Sequence, residues 1–201
     1  LSRRQRQMCI RDSSKTLELD VAGVPHVFAW GGLHGAIPKY HGEGWFVNVD
    51  VASYYPSLML VYKWLSRNVH DPSKYAEIYH TRLKLKAEKN PMQQPYKIVL
   101  NSTYGAMKDK HNAMYDPRQA NNVCVGGQLL LLDLIERLED HCEIIQSNTD
   151  GILVKLRRYE DFEMLDDLCW EWEQRTGMRL EFDEFQNCLL YTSPSPRDRS
   201  L

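Results

Sequence analysis

The sequence predicts an α+β protein, and three observations carry that prediction. Val47-Asn-Val-Asp-Val51 alternates with the period of a strand, its β-branched residues suited to a pleated, half-buried surface. Ile144 to Val154 reads as two short apolar strands folded about Asp150-Gly151, a dipeptide favoured in tight antiparallel hairpins. Between and after them, Gly127–His141 (GQLLLLDLIERLEDH) and Tyr159–Thr176 space their apolar residues as helices do.

With 201 residues, 43% of them hydrophobic, the chain can bury one sizeable core, and no apolar run reaches membrane-spanning length. A soluble, cytoplasmic-type protein is therefore expected. Five cysteines without paired short spacings speak against a disulfide framework or a zinc site, so free thiols are expected. The two ends stand apart. Met8–Ser13 and Cys188–Ser193 can be encoded by reverse-complementary DNA, and the longer strings resemble translated transposon-end adaptor, so residues 1–13 and 188–201 are set aside from the fold. These ends carry +3 and +1 of a formal net charge of −2, which leaves −6 on the rest. An acidic core is a poor overall footprint for nucleic acid, which directs attention to local clusters of Lys and Arg.

In chain order, Leu17–Val27 alternates weakly and reads as an edge strand interrupted at Pro25. Phe28-Ala-Trp-Gly-Gly-Leu-His-Gly35 follows, where Gly31 and Gly32 permit a tight turn or close backbone approach to a ligand. The Val47–Val51 strand turns Asp50 off its apolar face. Pro56 then fits only the first turn of a helix that Leu58, Met59 and Val61 continue. A carboxylate thus stands where a strand hands over to a helix, which suits a hard cation and a phosphate, or equally a helix-capping acid. A second helix runs from Asp71 to about Lys89, with Arg82, Lys86 and Lys89 along one stripe. On the next, Lys97, Asn101 and Tyr104 share a face and Gly105 ends the run. Asp116-Pro-Arg-Gln reads as a turn or helix start, and Arg179–Phe185 (RLEFDEF) as a final strand.

Three strings resemble motifs of the family B DNA-directed DNA polymerases. Asp50-x-x-Ser53-Tyr54-Tyr55-Pro56-Ser57 is similar to D-x-x-S-L-Y-P-S; Lys97 to Gly105 follows K-x-x-x-N-S-x-Y-G; Thr149-Asp150 matches the end of Y-x-D-T-D-S. The third departs from its pattern, with Gln146, Asn148 and Gly151 in place of tyrosine, aspartate and serine. Gly31-Gly32 is similar to the Y-x-G-G element, with Ala29 at the tyrosine position. The resemblance covers about Leu17 to Asn187 and its three motifs occur in the family's order.

The resemblance implies a palm and fingers fragment of a phage-type polymerase: an antiparallel palm sheet with helices packed on one face, plus a two-helix fingers hairpin. Residues 14–45 would link to the polymerase domain, 46–70 and 108–187 would form the palm, and 71–107 the fingers. Asp50 and Asp150 would be the catalytic acids, holding two Mg²⁺, for which Mn²⁺ can substitute, with Val51 lending its carbonyl. Ser53, Tyr54, Tyr55, Arg82, Lys86, Lys97, Asn101 and Tyr104 would receive the deoxynucleoside triphosphate. Gly31, Gly32, Gly105 and Thr149 would meet primer–template DNA. No membrane and no obligate protein partner is implied, and the setting would be the cytoplasm of an infected bacterial host. The span from Asp50 to Lys97 leaves no room for the insertions of protein-primed phage polymerases, so a nucleic-acid primer is expected. Lacking a thumb, the fragment would be inactive alone. Two readings compete: another palm nucleotidyltransferase such as a reverse transcriptase, and a catalytically inert palm-derived DNA-binding module.

Overall fold

The structure is a computed structural model that describes residues 16–189. The adaptor-like stretches 1–13 and 190–201 lie outside the described residues. Cys188 and Leu189, set aside with the second of them, pair through the backbone with Gly42 and His41.

Seven antiparallel strands form one sheet in the order β1-β2-β3-β5-β6-β4-β7. They are β1 (Leu17–Val21), β2 (Val24–Ala29), β3 (Gly32–Ala36), β4 (His41–Val51), β5 (Glu143–Ser147), β6 (Gly151–Leu156) and β7 (Leu180–Leu189). The helices are α1 (Tyr54–Val61), α2 (Pro72–Ala87), α3 (Gln93–Lys108), α4 (Pro117–Leu138) and α5 (Phe162–Thr176). The fold is α+β. Among the described residues no helix is long and apolar enough to cross a membrane. The chain divides into two compact units, residues 53–127 and the remainder, the division falling inside α4 after Gly127.

In the sheet unit, the two faces follow directly from register, because directly paired residues share a face and neighbours along a strand alternate. Val47, Val49 and Val51 lie with Ile152 and Val154, all almost fully buried. Phe182, paired with Val49, packs edge-on against Phe162 of α5, which places that helix on this face. Trp172 of α5 is fully buried and donates to the Leu130 carbonyl of α4 at 3.2 Å. The opposite face carries a smaller cluster of Phe46, Ile145 and Leu153, with Ile37 and Tyr40 against it.

The structure corrects the reading of the first strand. Leu17–Val27 is a hairpin, β1 and β2, turning at Ala22 and Gly23 with φ of 54° and 74°. Two successive left-handed residues suit the twist of a two-residue hairpin, but alanine hides that signal where asparagine or glycine would announce it. Pro25 is accommodated within β2, opposite Asp20. The long helix also begins earlier, at Pro117 rather than Gly127. Gly126 and Gly127 sit inside it because neighbours fill their space: a Cβ on Gly126 would meet the Trp64 ring at 2.4 Å, and one on Gly127 would meet Leu58 at 3.1 Å.

The helical unit packs α1, α2, α3 and the first part of α4 around Leu58, Met59, Leu100, Met107 and Val123. Asp71 caps α2 by accepting from the Ser73 N–H at 3.0 Å. Asp116 ends the preceding loop in the same way. Its buried carboxylate takes two hydrogen bonds at 2.8 Å from the Arg67 guanidinium, one at 3.0 Å from the Arg67 backbone, and one from Gln119 in the first turn of α4. The Arg67 bonds hold its pKa down, to about 2 from an ordinary 3.8. A lowered folded-state pKa stabilises the fold above the ordinary value, and that contribution disappears as pH falls from about 4 to about 2. Asp116→Ala is therefore expected to cost about 1–2 kcal/mol at neutral pH from the lost cap. In urea melts the difference from wild type should shrink toward pH 2; a difference independent of pH would contradict this account.

Candidate active site

The site is built at one end of the sheet, where β4 runs out at Asp50 and Val51 and β6 begins after Asp150. Asp50 pairs in register with Gly151, and the Val51 N–H donates to the Asp150 carbonyl at 2.6 Å. The two acids therefore belong to adjacent chain segments tied by the backbone, although 100 residues separate them in sequence. Asp50 is half-buried, and its pKa is raised, first by burial and next by the negative charge of Asp150. Asn48 opposes that shift by donating to Asp50 Oδ2 at 2.6 Å.

Gly151 makes room for this arrangement. A Cβ there would lie 1.8 Å from Asp50 Oδ1, so the carboxylate occupies the volume a side chain would need. The departure from serine at this position has that steric meaning here. Gly151→Ala is expected to cost about 1–3 kcal/mol by overpacking and to displace the Asp50 carboxylate. Thermal melts and divalent-cation titration check both parts; unchanged stability with unchanged cation affinity would refute them.

Three residues that motif reading passed over belong to this surface. Asn48 pairs with Asp183, and Asp50 with Glu181, across β4 and β7, so all four side chains share the face opposite the helices. Asp183 and Glu181 both add to the upward pull on the Asp50 pKa. Their signal is the alternation in RLEFDEF, legible only once its partner strand and register are known.

Asn148 takes a settled orientation. Its N–H donates to the Gly151 carbonyl at 2.8 Å, and its Oδ1 accepts from Gln146 Nε2 at 3.1 Å. The two residues that replace the motif's tyrosine and aspartate thus bond to each other.

Gly31, Gly32 and Thr149 also come together. Thr149 Oγ1 donates to the Gly31 carbonyl at 3.2 Å and lies 3.2 Å from His34 Nε2. Gly32 has φ +133°, and a Cβ on it would meet Thr149 Oγ1 at 2.6 Å. The β2–β3 turn is thereby held against the residue that precedes Asp150. Gln128 adds a tie by donating to the Ala29 carbonyl at 2.7 Å.

The remaining candidates lie in the helical unit. Ser53, at φ 51°, is the residue before α1 and receives a hydrogen bond from the Arg82 guanidinium. Arg82 is buried, while Lys86 is half-buried and Lys89 falls beyond the end of α2, so the basic stripe divides. Lys97 and Asn101 are exposed on α3, and Gly105 has open space where a Cβ would be. Tyr55 packs edge-on against Tyr104 with ring centroids 4.7 Å apart. Burial raises the Tyr104 pKa, with the neighbouring Cys124 and Tyr55 adding to it. Tyr54 turns inward instead, buried, its hydroxyl donating to the Gly127 carbonyl at 2.6 Å. Tyr54, expected among the nucleotide-binding residues, thus packs in the core of the helical unit.

Among the described residues no three His, Cys, Asp or Glu side chains are grouped closely enough to hold a metal ion by themselves. The donor set nevertheless fits Mg²⁺. Asp50 and Asp150 offer hard oxygens, and the Asp50 pKa is raised first by burial and then by the charge of Asp150, the second of which a cation would offset.

No protein-family model matches the chain. Over 97 residues, 47% of this chain and 12% of the relative, it is 29% identical to DNA polymerase II of Escherichia coli strain K12. Its fold is similar to that of the family B DNA polymerase from the hyperthermophilic archaeon Pyrobaculum calidifontis, with a TM-score of 0.52 and 18% identity over 76% of this chain and 26% of that one. The chain thus spans a minor part of both proteins. It is distantly similar in sequence to a DNA polymerase, and it shares a fold with part of a family B DNA polymerase.

Proposed function

We propose that this chain is a palm and fingers portion of a phage-type family B DNA polymerase, and that the complete protein extends a nucleic-acid primer by template-directed nucleotidyl transfer. The observation that carries the reading is the juxtaposition of Asp50 and Asp150 at the ends of paired strands, with Gly151 leaving space for the carboxylate. Asp50 and Asp150 would hold Mg²⁺, with the Val51 carbonyl as a further ligand. When bound, two such ions activate the primer 3′ hydroxyl and neutralise the departing pyrophosphate. Phosphoryl transfer asks the rest of the protein mainly for positioning and charge. Lys97 supplies charge to the triphosphate, Lys86 a second cation, and Arg82 acts through Ser53, which it holds. Asn101 and Tyr104 shape the slot for the new base pair, and Tyr55 lies beneath the sugar. Gly31, Gly32, Gly105 and Thr149 offer close approach to primer and template.

The test is Mg²⁺-dependent incorporation of deoxynucleotides on a primed template by the complete protein, with Asp50→Asn as control. Incorporation that depends on Asp50 supports the reading. Salt-sensitive DNA binding without incorporation would favour the inert DNA-binding module instead, a reading that Asn148, standing where the motif has an acid, keeps specific.

A further inference from the structure

A row of three residues in the sheet unit stands apart from the acids. His26 of β2 pairs in register with Gly35 of β3, and Gly35 pairs with Ser147 of β5. Directly opposed residues share a face, so the histidine and serine side chains flank one glycine on the same side of the sheet. Gly35 is required there: a Cβ would lie 2.4 Å from His26 Cδ2 and 2.6 Å from Nε2. The ring therefore lies over Gly35, with its Nε2 edge on the glycine and its Nδ1 turned to the Val24 carbonyl at 2.8 Å. A carbonyl accepts only, so Nδ1 carries the proton and Nε2 presents a lone pair.

His26 and Ser147 are 1% and 0% exposed, and neither His26 Nε2 nor Ser147 Oγ has a hydrogen-bond partner. Buried polar atoms left unpaired are costly, and a water with two or more polar partners is the usual remedy. Nε2 accepts and the serine hydroxyl can both donate and accept, so a single water can bond to both. The place also matters. Strands β3 and β5 share two register pairs, Gly35 with Ser147 and Ala36 with Gln146, so the β1–β3 segment is joined to the rest of the sheet by a short seam.

We propose that His26 and Ser147 form a buried clasp, closed through one internal water, that holds the β1–β3 segment onto β5. The clasp needs neutral His26. Protonation turns Nε2 into a donor and leaves a charge in the buried site, which destabilises the closed clasp and loosens the segment whose turn carries Gly31 and Gly32 against Thr149. Burial already holds the His26 pKa below 6.5, against the opposing pull of its Val24 bond and of Asp20 on β1, the charged group acting on the ring. This inference does not rest on the polymerase reading.

Nitrogen and carbon NMR of His26 in the full 201-residue chain tests it without any variant. The expected result is the Nδ1–H tautomer, titrating below 6.5. The Ile37 amide, which bonds across the seam to the Ile145 carbonyl at 3.0 Å, should exchange faster below that titration. Ser147→Ala should raise the His26 titration point and speed Ile37 exchange about tenfold at neutral pH. A crystal structure fine enough to show waters should place one within reach of both atoms. The Nε2–H tautomer, Ser147 Oγ bonded instead to a backbone carbonyl, or a Ser147→Ala protein unchanged in both NMR readouts would overturn the proposal. Should that variant fail to fold, the wild-type tautomer and titration decide alone.

Discussion

On the proposed reading, Asp50→Asn in the complete protein is expected to lower Mg²⁺-dependent incorporation by about a thousandfold or more, with the fold intact. The loss of activity and the gain of stability should separate. Asp50 is half-buried and pressed by Asp150, Asp183 and Glu181, so its ionised form is disfavoured in the metal-free fold. A group whose folded-state pKa is raised destabilises the fold as pH climbs through that value. Removing the charge therefore leaves the melting temperature equal or higher at neutral pH, while the Asn48 amide can still donate to the new side-chain oxygen. Asp150→Asn should behave alike in activity, because its structural tie to Val51 runs through the backbone carbonyl and survives the change. Primer extension and thermal melts on the same preparations check both halves. Wild-type incorporation by either variant would remove these acids from the reaction.

Tyr55→Val is expected to raise ribonucleotide incorporation relative to deoxyribonucleotide by about a hundredfold. The ring is half-buried and braced at 4.7 Å by Tyr104, so on the proposed reading a sugar bearing a 2′ hydroxyl would meet a fixed wall. The neighbouring tyrosine makes the control. Tyr54 is 3% exposed and bonded to the Gly127 carbonyl, so Tyr54→Leu should cost about 1–3 kcal/mol of stability and leave sugar choice unchanged. Competition between the two nucleotide types on one template reads the first effect and urea melts the second. Equal sugar selectivity in wild type and Tyr55→Val would return Tyr55 to packing.

Much of the candidate site was legible because its residues sit at characteristic local steps. Asp50 ends an alternating run, Asp150-Gly151 marks a hairpin, and Lys97, Asn101 and Tyr104 fall on one helix face. The pairing of β5 with β6 follows the two apolar runs, but β4 starts at His41, ahead of the alternating stretch, and the hairpin turns before Gly151, which already lies in β6, with a register shift between Ile144 and Gln146. Three features resisted. Ala22 adopts a left-handed conformation that its residue type does not advertise. Gly126 and Gly127 read as a helix boundary until Trp64 and Leu58 are seen filling their space. Tyr54 and Tyr55 are indistinguishable as letters, and burial alone sends one to the core.

By itself, then, the sequence pointed to most element types, the three motif positions and the two acids proposed for the site, all of which depend on neighbours a few residues away. Tertiary structure decided what depends on partners far along the chain. It set Glu181 and Asp183 on the face of Asp50, gave Gly151 its steric role, joined Thr149 to the Gly31 turn, and brought His26, Gly35 and Ser147 into one row. The physical reason is register. Alternation says that a strand has two faces, but only pairing across strands says which side chains meet, and a slip of one residue would exchange every one of those neighbours.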